Sequence, residues 1–362
     1  MFKENLLVKK IVVLRLSSLG DVVLATTIVE SLRLKFPQAR ISFLVFKKYQ
    51  ELLKNNPHIE NLITFNYSEN LFCNFYSFIR ILMKLRRDRF DLLIDLHPKD
   101  WCFPRTIFWS FLFGKCLTSK VQVKVKALSF KTIRNTITLG HGAGIHTIDL
   151  YKKSLSGLGI NDIDVTPRVY ISKKDVEFSY NYLVERNFNK DCLLIGLVPG
   201  ASYLTKQWPE AKFIDLCKRL SLEPRANLII FGDLKDKALI HRIVKEVNSN
   251  NIAMAINFDL NHVAALIAQC KVVVSNDSGL MHLATAFRIP VVAIFGPTHP
   301  QLGFAPWGDN NKVFYSKISC SPCSRCPARR RTRRSRRWRC PRRSPRRSGR
   351  GSRRSSGRTS RR

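Results

Sequence analysis

Short β-branched and aliphatic runs alternate along this chain with segments whose apolar residues recur every three or four positions. The first run, Ile11–Leu14, is apolar throughout, as a strand covered on both faces should be. Behind it Val22, Ala25, Val29, Leu32 and Phe36 fall on one side of a helix that Pro37 ends. Further strands are predicted at 41–46, 62–65 and 92–96, the last two separated by a basic helix ending near Arg89. After a more polar stretch from about Asn161 to Asp191 the same grammar restarts. Strand-like runs at 192–198, 227–231, 252–256, 272–275 and 291–295 are interleaved with helix-period segments beginning at Pro209, Ile240 and His262. Such repetition implies a parallel sheet with helices on both faces, and here it occurs twice. The predicted class is therefore α/β: two Rossmann-like, doubly wound domains facing each other across a cleft. Ligands are expected in that cleft, outside the carboxyl ends of the strands.

Charge adds a second division of the chain. The 362 residues carry 62 basic and 26 acidic side chains, a net charge of +36. Residues 319–362 hold 19 Arg, no Lys and no acidic residue, which leaves 43 basic and 26 acidic residues, or +17, for the rest. A basic body suits anionic partners such as nucleotides, phosphorylated glycolipids or an anionic membrane face. The Arg/Ser-rich tail is too polar to bury a core and is read as disordered. All of its basic residues are Arg, whereas the body uses Lys freely. That abrupt change fits an out-of-frame or chimeric end better than a nucleic-acid-binding arm. The expected segmentation is 1–165, a first domain; 166–190, a linker with a helix leading onward; 191–318, a second domain; and 319–362, the tail.

Several chemistries are disfavoured. Ten cysteines in a chain this long do not make a disulfide framework, and Cys73, Cys102, Cys116, Cys192, Cys217 and Cys270 read as reduced core residues. No secretory signal and no uncharged apolar stretch long enough to span a bilayer are seen, so a cytoplasmic location is expected. Trp101–Phe113 is aromatic enough to touch a membrane, although an apolar helix under a loop is the favoured reading. A Walker-type loop is absent, and Gly140–Gly144 lacks the spacing and preceding strand of a dinucleotide fingerprint.

Four strand-end loops carry polar clusters. In Ser17-Ser-Leu-Gly20-Asp21, Gly20 allows close backbone approach and Asp21 stands at a helix N-terminus, whose dipole favours its ionised form. An Asp so placed most often simply caps its helix. In Pro199–Pro209, a glycine turn leading to a helix offers free amides to an anion, with Lys206 as a point charge beside them. Trp208-Pro209 there also reads as a hydrophobic staple. Phe231-Gly-Asp233 is a weaker cluster that can meet a ribose or cap a helix. Ser275-Asn-Asp277-Ser278-Gly279-Leu-Met-His282 presents the Ser278 and Gly279 amides to a phosphate, with His282 one turn on, on the side of Ser278.

Taken together, S-S-L-G-D, P-G-A…K-x-W-P, D-S-G-x-M-H-L-A and P-V-V-A-I-F-G-P-T resemble glycosyltransferase family nine, the heptosyltransferases. D-L-L-I-D-L-H at 91–97 and H-T-I-D-L-Y at 146–151 extend the resemblance, which runs from about Lys9 to Cys323. It implies the GT-B fold, with an acceptor-side first domain and a nucleotide-sugar-binding second domain. It also implies an ADP-heptose donor and an acceptor in the Kdo–lipid A or heptose region of the lipopolysaccharide inner core. By position, Asp21 resembles the family's catalytic base and Lys206 its diphosphate contact, with Thr205 as a further phosphate contact. Asp277, Ser278, Gly279 and His282 resemble its donor-binding loop. The acidic ribose contact is left open between Asp233 and Asp236. Inversion at the anomeric carbon is expected, with no cofactor, no metal and no nucleic-acid partner; peripheral contact with the inner membrane is compatible with the acceptor. The alternatives are another nucleotide-sugar donor, or a nucleic-acid binder acting through the tail. One departure stands out: Cys320-Ser-Pro-Cys323 is followed by the Arg tail and not by the family's helix returning to the first domain. Cys320, Cys323 and Cys326 have a metal-like spacing but no fourth ligand, so no metal site is expected there.

Overall fold

The computed structural model describes residues 8–68, 70–96, 121–125, 135–139, 144–160, 165–188, 191–316 and 321. Trp101–Phe113, Cys102, Cys116, most of the Gly140–Gly144 run, Cys320, Cys323, Cys326 and the Arg-rich tail lie outside the described residues.

The first half is built on β1 (Lys10–Leu14), β2 (Arg40–Phe46), β3 (Asn61–Phe65) and β4 (Leu92–Asp95), all parallel, in the order β3-β2-β1-β4. Val13 lies opposite Phe43 on one side and Ile94 on the other, so the centre of the sheet is apolar across three strands. Helix α1 (Leu19–Lys35) follows β1, α2 (Glu51–Lys54) follows β2, and α3 (Leu71–Asp88) follows β3. A two-stranded antiparallel hairpin, β5 (Val121–Val125) with β6 (Asn135–Leu139), and α4 (Thr147–Leu155) come next. The hairpin and α4 were not foreseen as elements: the first departs from the parallel pattern, and the second is short; β6 stands directly before Gly140, where no preceding strand was expected.

The one-sided apolar face expected of α1 is not observed; Val22 through Leu32 are buried all round. One side packs on the first sheet through Val22, Ala25, Ile28 and Leu32. Another meets the second half, where Val23 joins the core. The segment 165–171 closes a third side, with the Arg168 amide donating to Thr26 Oγ1 at 3.0 Å. Thr26, Thr27 and Ser31 satisfy their hydroxyls by donating to backbone carbonyls three or four residues earlier, so a helix with polar side chains can be buried without leaving donors unpaired.

In the segment read as a linker, α5 (Lys173–Val184) packs on the second core, and Tyr182 donates to the Met254 carbonyl at 2.6 Å. The second half then runs β7 (Leu193–Val198), α6 (Glu210–Ser221), β8 (Ala226–Gly232), α7 (Lys237–Val247), β9 (Ile252–Ile256), α8 (Leu260–Gln269), β10 (Val272–Asn276), α9 (Gly279–Ala286), β11 (Val291–Phe295) and β12 (Lys312–Tyr315). Its six parallel strands are ordered β12-β11-β10-β7-β8-β9. Counted from β7 this is 3-2-1-4-5-6, the doubly wound dinucleotide-fold order, and the four strands of the first half follow 3-2-1-4. Strand β12 was not anticipated because its largely exposed edge position leaves an apolar run of only three residues, Val313–Tyr315. Cys217 and Cys270 are buried as expected, but Cys73 is exposed on α3 and Cys192 only half-buried; neither is a core residue. Cys192 precedes its strand, and Cys73 lies on a side of α3 turned away from the sheet. Among the described residues, no helix is long and apolar enough to cross a membrane.

Candidate active site

In each of the two parallel sheets the strand order reverses at one point, where the loops leaving the two central strands diverge and open a crevice. In the first half this lies between β1 and β4. The chain leaves β1 at Arg15 and enters α1 through Ser18, whose amide and hydroxyl donate to Asp21 Oδ2 at 3.0 and 2.9 Å in a capping box. The Arg15 guanidinium lies 2.6 Å from Asp21 Oδ1 and also donates to the Leu96 carbonyl just beyond β4. Asp21 thus both caps its helix and pairs with a buried cation. Burial alone would push its carboxyl up, but Arg15 and the Ser18 hydrogen bonds outweigh that and hold it below the usual aspartate range. Beside the pair stand Asp95 and Tyr151, the latter fully buried with its phenol pushed up by burial. Arg15 and Tyr151 were not singled out from the sequence. The available signal for Arg15 was a cation directly after a buried strand, where it is costly unless paired.

In the second half the reversal lies between β7 and β10, and the loops leaving them are the two donor-loop candidates. Asn276, fully buried, joins them: its side chain accepts from the Trp208 amide at 3.0 Å and donates to the Pro199 carbonyl at 2.7 Å. Lys206 donates to Asp277 Oδ2 at 2.7 Å, so the ammonium is held beside the start of α9. Ser278 is the N-cap of α9, and its hydroxyl lies 3.0 Å from that of Ser275. Thr205 precedes Lys206 in a short 3-10 turn and backs onto Gly296, where a Cβ would come within 2.7 Å of the Thr205 carbonyl oxygen. Trp208 stands edge-on to Phe213 at 5.2 Å, four residues after the N-cap Pro209, the staple expected from the sequence. Of the two carboxylates left open, Asp233 is exposed and paired with Lys235 at 2.8 Å. Asp236 is buried against Gly200, where any Cβ would collide with its carboxylate, and burial raises its pKa.

The two helix starts abut. A Cβ on Gly20 would collide with the His282 ring, and one on Gly279 would lie 2.7 Å from Leu19 Cβ. His282 is almost fully buried; burial, aided by His146, lowers its pKa to about 4 against the opposing pull of Asp21 and Asp277. It is therefore a neutral imidazole at pH 7. His146 caps α4 by accepting from the Ile148 amide at Nδ1 (3.1 Å), which leaves Nε2 to donate to the Ala305 carbonyl at 3.0 Å. Around it the 299–307 segment docks on the first half. Both the Thr147 amide and hydroxyl donate to the Gly303 carbonyl at 2.8 Å, and Trp307 lies 4.8 Å from the His146 ring. Gly303 needs its positive φ of 87° there, and a Cβ would meet the Ile145 carbonyl oxygen at 2.5 Å. Asp21, Lys206, Asp277, Ser278, Gly279 and His282 are thus gathered at one junction, with Thr205 immediately behind Lys206.

Comparison with known proteins bears on the family and the fold. Lipopolysaccharide heptosyltransferase 2 of Escherichia coli (strain K12) is 26% identical over 307 residues, 81% of this chain and 84% of that protein. Among solved structures, a family 9 glycosyl transferase from Veillonella parvula superposes with a TM-score of 0.72 at 23% identity, over 85% of this chain and 86% of that one. E. coli ADP-heptose LPS heptosyltransferase II superposes with a TM-score of 0.65 at 22% identity, over 84% and 90%, a likeness of fold. The sequence model described as glycosyltransferase family 9 (heptosyltransferase) matches residues 135–331, more than half of the chain. Two dinucleotide-type sheets, a carboxylate at the first helix start and a lysine-flanked helix start facing it therefore have a common explanation: the chain is a glycosyltransferase and belongs to glycosyltransferase family 9.

Proposed function

We propose that this protein transfers a heptose from ADP-heptose to the inner core of lipopolysaccharide, with inversion and without a metal ion. The observation that carries the reading is the abutment of the α1 and α9 N-termini, Gly20 on His282 and Leu19 on Gly279. It sets a carboxylate from the acceptor-side half (1–165) beside a phosphate-type site in the donor-side half (191–318). The named donor and glycolipid class of the heptosyltransferase relatives support the choice of substrates.

In the reaction an acceptor hydroxyl oxygen bonds to the anomeric carbon as the bond from that carbon to the diphosphate oxygen breaks on the opposite face. The departing ADP takes the bonding electrons and gains negative charge. Lys206, the Ser278 and Gly279 amides and the α9 dipole meet that charge, doing what a divalent cation does elsewhere. Asp277 keeps the Lys206 ammonium at the helix start. The hydroxyl proton passes to Asp21. A carboxylate held below its usual pKa is a weak base, suited to take the proton late, once the forming C–O bond has acidified the hydroxyl. Asp21 already accepts from the Ser18 amide, the Ser18 hydroxyl and Arg15, and its four lone-pair directions leave room for one more donor. Thr205 adds a phosphate contact, and Asp236, not Asp233, is assigned to the donor ribose because it lines the Gly200 turn.

The test is Asp21→Asn assayed with ADP-heptose and a heptose-deficient glycolipid acceptor. Turnover is expected to fall by roughly 10²–10⁴-fold while calorimetric donor affinity stays within about twofold. Near-normal turnover removes Asp21 from the base role. Tighter binding of another nucleotide sugar moves the donor assignment within the family, and loss of activity on chelation overturns metal independence.

A further inference from the structure

Helix α3 keeps Ile81, Leu82 and Leu85 on the first sheet, yet turns a second apolar face outward. Phe72 is 84% exposed, and Phe75, Tyr76, Met83 and the preceding Tyr67 are each more than half exposed. At 100° per residue, Phe72, Phe75, Tyr76 and Met83 fall within one side of the helix. Along the rest of the described chain, large exposed apolar side chains occur singly or in pairs in the sequence. The same helix has no acidic residue between Leu71 and Arg87, and its exposed side also carries Arg80, Arg86 and Arg87, with the half-buried Lys84 at the margin. Arg80 stands over the Tyr76 ring at 6.0 Å.

We infer that this face of α3 is a membrane-docking surface for an anionic phospholipid bilayer. Aromatic and thioether groups rimmed by guanidinium groups match the boundary between acyl chains and acidic headgroups. Charge speaks against the other occupants. The Arg-rich C-terminal segment would be repelled by α3, and a second copy packed α3 on α3 would oppose basic to basic. Position fits as well. In a parallel sheet all carboxyl strand ends lie at one edge, so α3, which follows β3, begins at the same edge as Asp21. A bilayer on α3 therefore lies next to the mouth of the cleft, where a lipid-borne acceptor would enter. The inference rests on α3 and holds whichever sugar is transferred.

The 19 Arg of residues 319–362 would draw the chain to anionic vesicles by themselves, so binding alone decides nothing, and the readout must be local to α3. Cys73, exposed on the same helix, supplies one. The full chain is mixed with vesicles of phosphatidylglycerol and phosphatidylethanolamine, and Cys73 alkylation by a membrane-impermeant maleimide is followed by peptide mass spectrometry. The expected result is a rate about tenfold lower than without vesicles. Phosphatidylcholine vesicles should give no protection, and neither should anionic vesicles with a Phe72→Ser/Phe75→Ser variant whose melting temperature is unchanged. Undiminished Cys73 reactivity on vesicles, or protection retained by that variant, overturns the inference. Protection that appears without lipid and grows with protein concentration overturns it in favour of self-association.

Discussion

Asp21 is held by groups that oppose one another. Burial favours its neutral form, and the Arg15 guanidinium at 2.6 Å, with two hydrogen bonds from Ser18, favours the charged one and prevails. The sign for activity follows. A base with a depressed pKa stays ionised as pH falls and is lost only below the ordinary aspartate value. Arg15→Gln removes the strongest opposing influence and leaves burial dominant, so the acid limb of the kcat profile should move to higher pH. Arg15→Lys, which keeps the cation, should move it less. A limb at the same pH in parent and Arg15→Gln enzymes would detach Asp21 from that limb. Leaving a buried carboxylate unpaired should also cost about 3 kcal/mol of stability, measured by denaturant unfolding. His282 acts differently: with a pKa of about 4 it is uncharged near neutrality and contributes packing instead of charge to the junction.

Elements meet here through glycines. Gly20 and Gly279 stand at the starts of α1 and α9, and each gives its space to a residue of the other half, His282 and Leu19 respectively. Gly20→Ala should therefore be costly although the position is helical and alanine is the better helix former. A new methyl against a buried imidazole costs about 1–3 kcal/mol in overpacking, against a propensity gain of about 1 kcal/mol. A lowered melting temperature and weakened donor binding are expected; a stabilised variant would show that the helix starts separate freely. Helix α1 also shows how an element can mislead. Its 3/4 spacing was real, but the helix is wedged between two cores, so its other sides had to be buried as well.

For the molecule as a whole, the contacts between the two halves include one joint at the helix starts and a second where 299–307 crosses to α4. That second joint holds Trp307 on His146, Lys152 5.3 Å from the Trp307 ring centre, and Phe304 and Trp307 on the first core. If closure of the halves completes the site, loosening this joint should harm turnover more than donor capture. Trp307→Ala is expected to lower kcat by about tenfold while ADP affinity by calorimetry changes less than about twofold. An equal loss in both would place the contact in service of the donor loop itself.

The alternation of apolar runs with 3.6-period segments was enough to establish two α/β halves, because strands covered on both faces are written as uninterrupted β-branched stretches. The loops after β1, β7 and β10 were likewise legible, since Gly, Pro, Asp and Ser are needed where the backbone turns at a strand end. Tertiary structure alone decided what those loops face. The pairing of Arg15 with Asp21, the burial of Asp236 rather than Asp233, the staple of Asn276 across two loops and the seat of His282 on Gly20 join residues that local periodicity does not connect. The outward aromatic face of α3 belongs with them: a helix's own period shows that it has sides, and only the sheet it packs on selects which side is left to solvent.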